Sequence, residues 1–247
     1  MEKLPFNKIA QDYHLKRKKP WRPLIFFLGH LKNKGYVFKG LSLDLGCAHG
    51  RNFKLMITPP NKLIGLDISL EFLKIAKFIL KNSDQYSQYE ANFIQLLLGD
   101  ITNLPFRDNS IHNVFSIASL HHIKRNNIRK NTIFQIYASL KKNGNLILTV
   151  WRKWQKRFRN YFFLEWFRRN FSINYKKQQN IIGLEEFGDK YIPWTLSKEQ
   201  EKYNRFYHFF SKRELKKLLK VFNIIEFKLT GGPTEKDNFF ILARKSV

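Results

Sequence analysis

The residues best suited to small-molecule chemistry are acids and glycines spread over residues 44–100. The stretch "LDLGCAHGRN" follows a short apolar run and sets Gly46 and Gly50 four apart, with Cys47, Ala48 and His49 between them. Glycines there let the backbone come within contact distance of a ligand that a Cβ would push away. Asp67 lies 21 residues after Gly46 and closes the next apolar run. A carboxylate in that place can accept both hydroxyls of a ribose. Asp100, in "GDITNLPF", closes a third run and can bond an adenine amino group. Two glycines four apart are equally consistent with a plain turn. Three such features on three successive strand ends are much harder to obtain by accident. The spacing lacks the GxGxxG of dinucleotide loops, which disfavours NAD.

These residues need strands that end beside one another. "LSLDLG" (41–46) reads as a short buried strand and "KLIGLDI" (62–68) as a second. In "SLEFLKIAKFILKN" the residues Phe72, Ile75, Ala76, Ile79 and Leu80 form the apolar stripe of an amphipathic helix, with Ser69 as N-cap and Glu71 in the first turn. "FIQLLLGDI" (93–101) and "NVFSIASL" (113–120) are the third and fourth strands. Residues 128–140 give a helix ending near Gly144, and "NLILTVW" (145–151) a fifth strand. Alternating strands and helices predict a doubly wound α/β fold with a mainly parallel sheet covered on both faces. "SKRE" (211–214) is a capping box opening a helix with Leu215, Leu218, Leu219 and Phe222 inward. "NIIEFKLTG" and "NFFILARK" follow, and their short connection makes them an antiparallel hairpin.

The chain of 247 residues is expected to form a single domain: a basic helical arm (1–40), a core (41–151), a basic aromatic helical insertion (152–205), and a closing helix and hairpin (206–247). Lys and Arg total 45 against 19 acids, a formal charge of +26. Such an excess attracts polyanions at long range, so a nucleic-acid partner is expected. The bland alternative is AT-rich coding, which inflates lysine but does not by itself make acids scarce. One cysteine excludes an internal disulfide and a cysteine-based zinc cluster, and no metal site is expected. The N-terminus lacks an apolar signal core, and no run approaches the ~20 apolar residues of a membrane span. A cytoplasmic protein without stable membrane insertion is the expectation.

Taken together, "LDLGCAHG", "GLDIS" followed by "L..AK", "GDITNLPF", "NVFSIASLHHI" and "SLKKNGNLILTVW" resemble the class I S-adenosylmethionine-dependent methyltransferases over about residues 40–151. The hairpin fits that family's seven-stranded, mostly parallel sheet. The resemblance implies S-adenosyl-L-methionine as cofactor, with Asp44, Gly46 and Gly50 at its methionine end, Asp67 at the ribose and Asp100 at the adenine. Cys47, Ile68, Ile101 and Ser116 complete the implied cofactor-binding set. Two departures are Ala48, where the family commonly has glycine, and "IHNVF" at 111–115, where it commonly has "FD".

No Asn/Asp-Pro-Pro-aromatic run is present to bind a flat exocyclic amine, and no second cysteine for covalent addition to a pyrimidine. An oxygen or carboxylate acceptor follows. A carboxylate is ionised at neutral pH and needs placement rather than a general base. "FNKIAQDYHLKRKKPWRPLIFFL", "SLHHI......RK..I" and "RFYHFFSKRELKKLL" together look like the transfer RNA wobble-uridine carboxymethyl methyltransferases, which esterify 5-carboxymethyluridine in the anticodon loop. Parts of this pattern recur in small-molecule and quinone methyltransferases. The resemblance implies Arg17, His122, Arg129 and Arg205 as holders of the acceptor carboxylate or flanking phosphates. It also implies a small zinc-containing activator protein as a possible partner.

Residues 151–177 hold nine Lys/Arg, one acid and ten aromatics. Trp154, Phe158, Phe162 and Trp166 recur at helical spacing, while Arg152, Lys153, Lys156, Arg157 and Arg159 take other faces. Half or more of these rings are expected to pack on the core. Exposed ones can stack on splayed anticodon bases beside RNA phosphates. A basic amphipathic helix can instead lie on an anionic membrane. The competing functions are thus a methyltransferase for a small or lipid-like acceptor and a non-catalytic RNA-binding subunit. Intact Asp44, Gly46, Gly50, Asp67 and Asp100 argue against the latter.

Overall fold

The computed structural model describes residues 5–246. Two helices open it, α1 (Pro5–Lys16) and α2 (Arg22–Asn33). Then come β1 (Ser42–Leu45), β2 (Leu63–Asp67), α3 (Leu70–Asn82), the single-turn α4 (Gln88–Ala91), β3 (Ile94–Leu98) and β4 (Ile111–Ile117). α5 (Asn126–Ser139) leads into β5 (Leu140–Trp151). An insertion of α6 (Arg159–Phe171), α7 (Ile173–Ile181), β6 (Asp189–Thr195) and β7 (Lys202–His208) precedes α8 (Lys212–Leu218), β8 (Phe222–Thr230) and β9 (Asn238–Lys245).

Seven strands form one sheet in the order β3-β2-β1-β4-β5-β9-β8. β9 runs antiparallel to both β5 and β8, and the other pairs are parallel. Strand order reverses between β1 and β4, which opens a crevice at their C-terminal ends. β6 and β7 form a separate antiparallel hairpin. Side-chain alternation splits the core in two. Val114, Leu146, Leu148, Phe239 and Ile241 pack on one side with α5 and α8, and Phe115, Ile147, Phe240 and Leu242 on the other with α2 and α3. Ser69 caps α3 by accepting the Phe72 amide at 3.2 Å, and Ser211 and Glu214 form the expected capping box of α8.

Three expectations are corrected. β4 stops at Ile117 instead of Leu120, because Ala118 takes a φ of 56° and residues 120–122 make one 3-10 turn. Helix α5 ends at Ser139, well before Gly144, and the left-handed turn is supplied by Asn143 at φ 62°. The insertion is only partly helical: Trp154 and Phe158 precede α6, so their spacing with Phe162 and Trp166 is not one helical stripe, and residues 189–208 form a hairpin. Among the described residues no helix is long and apolar enough to cross a membrane.

Phe240, fully buried in the centre of β9, packs on Trp21 and Phe27 at ring separations of 5.1 and 5.3 Å. Phe240→Ala is expected to lower unfolding free energy by about 3–5 kcal/mol in urea titrations. A loss below about 1 kcal/mol would mean that α2 does not pack on β9.

Candidate active site

The crevice holds a cleft of about 760 Å³, and the cofactor-type residues line one half of it. Asp44, Gly46, Cys47, Asp67, Ile68, Asp100 and Ile101 all face this space. Asp67 accepts the Ala48 amide on one oxygen and the Ser69 amide on the other, both at 2.8 Å. Each oxygen keeps a second lone pair for ligand hydroxyls. Asp100 uses one oxygen on the amide and hydroxyl of Thr102, both at 2.8 Å, and its other oxygen has no partner among the described residues. Ala48 has a φ of 49°, a conformation that costs an L-residue roughly 1–2 kcal/mol and that explains why glycine suits this place. Gly46 has a φ of +74°, and a Cβ there would meet the Ser119 hydroxyl at 2.4 Å.

Two members of the expected set sit elsewhere. Gly50 lies outside the cleft wall, where a Cβ would strike the Phe53 ring at 2.4 Å, so its small size serves the turn and not a ligand. Ser116 is buried within β4 and also outside the wall; the alternation of the strand turns Ile117 inward instead, and Ser119 follows in the loop. Arg51, Asn52 and Tyr13 join the lining without having been singled out in the sequence. Burial pushes the Cys47 thiol well up, and the nearby Asp67 and Asp44 carboxylates add to the shift. A thiol held protonated lines a wall and attacks nothing.

Burial also raises the Asp44 carboxyl to about 8, with the neighbouring Asp67 charge adding to the rise and Arg51 opposing it. Asp67 is raised as well, chiefly by burial, while amides of Ser69 and Ala48 favour its ionised form. Two desolvated acids that resist ionising are primed to accept a cation.

The other half of the cleft is an aromatic and cationic wall. Alternation along β7 sends Arg205 and Tyr207 into the cleft and His208 away from it. Arg205 is 8% exposed, lies 4.8 Å from the Trp194 ring centroid and 5.2 Å from that of Tyr207, and its Nε has no partner. Arg17, exposed just past α1, reaches the same space. His122 donates from Nδ1 to the Phe206 carbonyl at 2.7 Å, which leaves Nε2 as an acceptor. His122 lines this wall, and burial lowers it to about 3, which leaves the ring neutral. His121 stacks on Tyr207 at 4.8 Å and is likewise pushed down by burial.

Arg129 is the clearest correction. It is fully buried, lies outside the cleft, and donates to the Ile123 carbonyl at 3.0 Å and to Glu186. It belongs to a network in which His208 bonds Asp189 at 2.7 Å and Glu214 at 2.6 Å, and Lys153 lies 3.7 Å from Glu214. Each His208 nitrogen thus has a carboxylate partner, and the Arg129 and Lys153 cations stand in the same cluster. Glu186, Asp189 and His208 have ligand atoms close enough to hold a metal ion. Arg129 already pairs with Glu186, and Asp189 is bonded to His208, so the cluster is a hydrogen-bond and ion-pair network joining α5, the insertion and α8.

A methyltransferase-domain family matches residues 43–148. The chain is a methyltransferase. Its methyl donor is S-adenosylmethionine, which the unpaired oxygen of Asp100, the spare lone pairs of Asp67 and the close-approach glycine loop all fit. This methyltransferase is 25% identical to a tRNA (carboxymethyluridine(34)-5-O)-methyltransferase of Schizosaccharomyces pombe over 98% of this chain and 94% of that one. It is 24% identical to a putative methyltransferase of Encephalitozoon cuniculi over 97% and 93% of the two chains. A solved S-adenosylmethionine-dependent methyltransferase from Methanosarcina mazei shares its fold, with a TM-score of 0.67 and 18% identity over 88% of this chain and 97% of that one.

Asp67→Ala is expected to abolish measurable S-adenosylmethionine binding in calorimetry while circular dichroism stays native. Unchanged affinity would remove Asp67 from the cofactor site. Asp44 gives a pH effect of defined sign. In the free protein its carboxyl keeps a proton up to about pH 8. The unfolded chain loses that proton near the ordinary carboxylate range, so this group makes stability fall as pH rises between the two values. A cationic ligand group set against Asp44 favours the ionised form. Binding near neutral pH should therefore release protons and tighten as pH rises toward 8. Calorimetry in buffers of different ionisation heat checks this, and identical heats in all buffers would contradict it.

Proposed function

We propose that this methyltransferase esterifies the carboxylate of a 5-carboxymethyluridine at the wobble position of transfer RNA. The observation that carries the reading is Arg205, a buried guanidinium in the acceptor half of the cleft whose Nε has no protein partner. A buried cation without an acid partner is costly unless a ligand supplies the negative charge. A carboxylate fits it by charge and by paired hydrogen bonds, and Arg17 lines the same cleft. Trp194 and Tyr207 line the cleft as aromatic walls for a pyrimidine ring beside that charge. The activity for which the fission-yeast relative is named supports the same substrate.

When bound, S-adenosylmethionine supplies a methyl group on a sulfonium, an electrophile that needs no further activation. The work left to the protein is alignment and exclusion of water. Arg205 and Arg17 orient the acceptor carboxylate, which is already ionised and requires no general base. The neutral His122 accepts a proton donor of the acceptor at Nε2. On this reading the RNA outside the cleft meets α6 and its approach, where Arg157, Arg159 and Arg168 accompany the exposed rings of Trp154, Phe163, Trp166 and Phe167. A small zinc-containing activator protein remains part of the proposal. The edge strand β3, with Leu98, Phe78 and Tyr89 exposed beside it, is the surface it would cover. Cytoplasmic action on transfer RNA is proposed with the substrate.

A second reading has one observation of its own. Leu164, Ile173 and Ile181 are exposed on α6 and α7, and aliphatic side chains do not stack on bases. A lipid-like acceptor with α6–α7 lying on an anionic membrane would use them. Transfer RNA incubated with enzyme and labelled cofactor decides between the two by nucleoside mass spectrometry. Label in the methyl ester of carboxymethyluridine is the expected outcome; label absent from that nucleoside overturns the proposal. Arg205→Ala should raise KM for the RNA at least tenfold and leave cofactor affinity unchanged, as measured by initial rates and calorimetry.

A further inference from the structure

On the far side of β5 from the cofactor loop, α8 carries a charge pattern that neither the cofactor site nor the acceptor site uses. Its exposed residues Lys212, Arg213, Lys216 and Lys217, together with Lys220 just beyond, are all cationic. The helix has one acid, Glu214, and that side chain turns inward to His208. The neighbouring edge strand β8 also has one acid, Glu226, and it points to the opposite face, where Lys34 binds it at 2.6 Å. Lys212, Lys216 and Lys220 line a groove of about 420 Å³ between α8 and β8, floored by Phe222, Ile224 and Phe227. None of the three has a carboxylate partner among the described residues. Lys212 extends its stem over Phe227, with Nζ 5.3 Å from the ring centroid, which holds the ammonium at the groove rim.

Like charges in a row repel one another and cost stability, so a row without acids fits an anionic partner that is itself periodic. At the helical rise of 1.5 Å per residue, Lys212 and Lys216 stand about 6 Å apart along the axis, and Lys220 follows past the end of α8. That step is close to the one between phosphates along an RNA strand. The row begins near the cleft, where Phe210 bridges to Arg152 at the end of β5, and leads away from it toward Phe222, which pairs with Lys245 at the opposite end of the sheet.

We infer that Lys212, Lys216 and Lys220 form a second RNA contact, which takes backbone phosphates of the transfer RNA outside the anticodon arm. The inference rests on the transfer RNA reading above and extends its footprint. It explains why acids are turned away on both walls of a groove with no catalytic group. Each lysine acts as a point charge that displaces condensed counterions, so the contact is sequence-independent and sensitive to salt.

The triple variant Lys212→Ala/Lys216→Ala/Lys220→Ala tests it, with full-length transfer RNA and an isolated anticodon-arm stem–loop as probes for the cofactor-loaded full chain. With full-length RNA, affinity should fall about tenfold or more at low salt, and the slope of log affinity against log salt should flatten by about 2–3. Stem–loop affinity and cofactor affinity should not change. An unchanged slope on full-length RNA overturns the inference, and so does an equal loss on the stem–loop. Lys212→Glu/Lys216→Glu/Lys220→Glu should deepen the loss; if it does not, electrostatic contact is refuted. Anionic phospholipid vesicles are a third probe, and a row needed for vesicle binding but not for RNA binding would also overturn it. If the wild type fails to methylate carboxymethyluridine while the triple variant still loses RNA affinity, the substrate reading falls and the surface stands. If the wild type methylates it and the variant binds normally, the reverse holds.

Discussion

Asp67 spans the floor of the cleft, because one carboxylate receives the Ala48 amide from the glycine loop and the Ser69 amide from the start of α3. Each element also has an anchor of its own: Gly46 and Cys47 donate to the Leu66 carbonyl, and Ser69 caps α3. The acid thus serves structure and ligand with the same two oxygens. Its burial beside Asp44 raises both groups, and the free site stores electrostatic tension that a cationic ligand relieves. Placing the two acids in water would dissipate that tension, so the apolar lining of Cys47, Ile68 and Ile101 matters as much as the acids do.

The acceptor wall obeys a different constraint. Arg205 and Tyr207 reach the cleft from β7, and at its back His208 is bonded to Asp189 and Glu214. Arg129, Lys153 and His208 meet Glu186, Asp189 and Glu214 in one cluster behind it. Apolar packing alone can slide by small amounts, whereas directional hydrogen bonds and ion pairs hold a narrower geometry. The cluster ties the insertion to α5 and α8. The geometry of the substrate side is thereby coupled to elements that belong to the core.

Much of this was legible in the residues. The parallel strands read as short apolar runs because both faces of the sheet are covered, and the acids at their ends stood out against that background. Ser69 and Ser211 announced their helices by capping chemistry. The errors have physical causes. Arg129 carries the same charge as Arg17, and only tertiary burial distinguishes an ion-paired arginine from one facing substrate. Gly50 and Ser116 lie in the right segments but point away, which depends on turn geometry and strand alternation. The hairpin of β6 and β7 was hidden by a search for helical periodicity in an aromatic-rich insertion. The alternation of Arg205, Tyr207 and His208 carried the period-two signal, yet three residues are too short a run to outweigh it.

The hydrogen bond from Trp194 Nε1 to Asp12, with the Ser197 amide on the same carboxylate, joins α1 to the β6–β7 hairpin across 182 residues of sequence. β9, ninth in chain order, is an interior strand between β5 and β8. Contacts between such distant segments form only after much chain has been made, and closing long loops is slow. During synthesis the glycine loop and its acids can assemble early, from residues 42–67. The walls around the acceptor must wait until the hairpin exists and β9 has threaded into place. A growing chain therefore acquires its donor-binding half well before it has anywhere to put an acceptor.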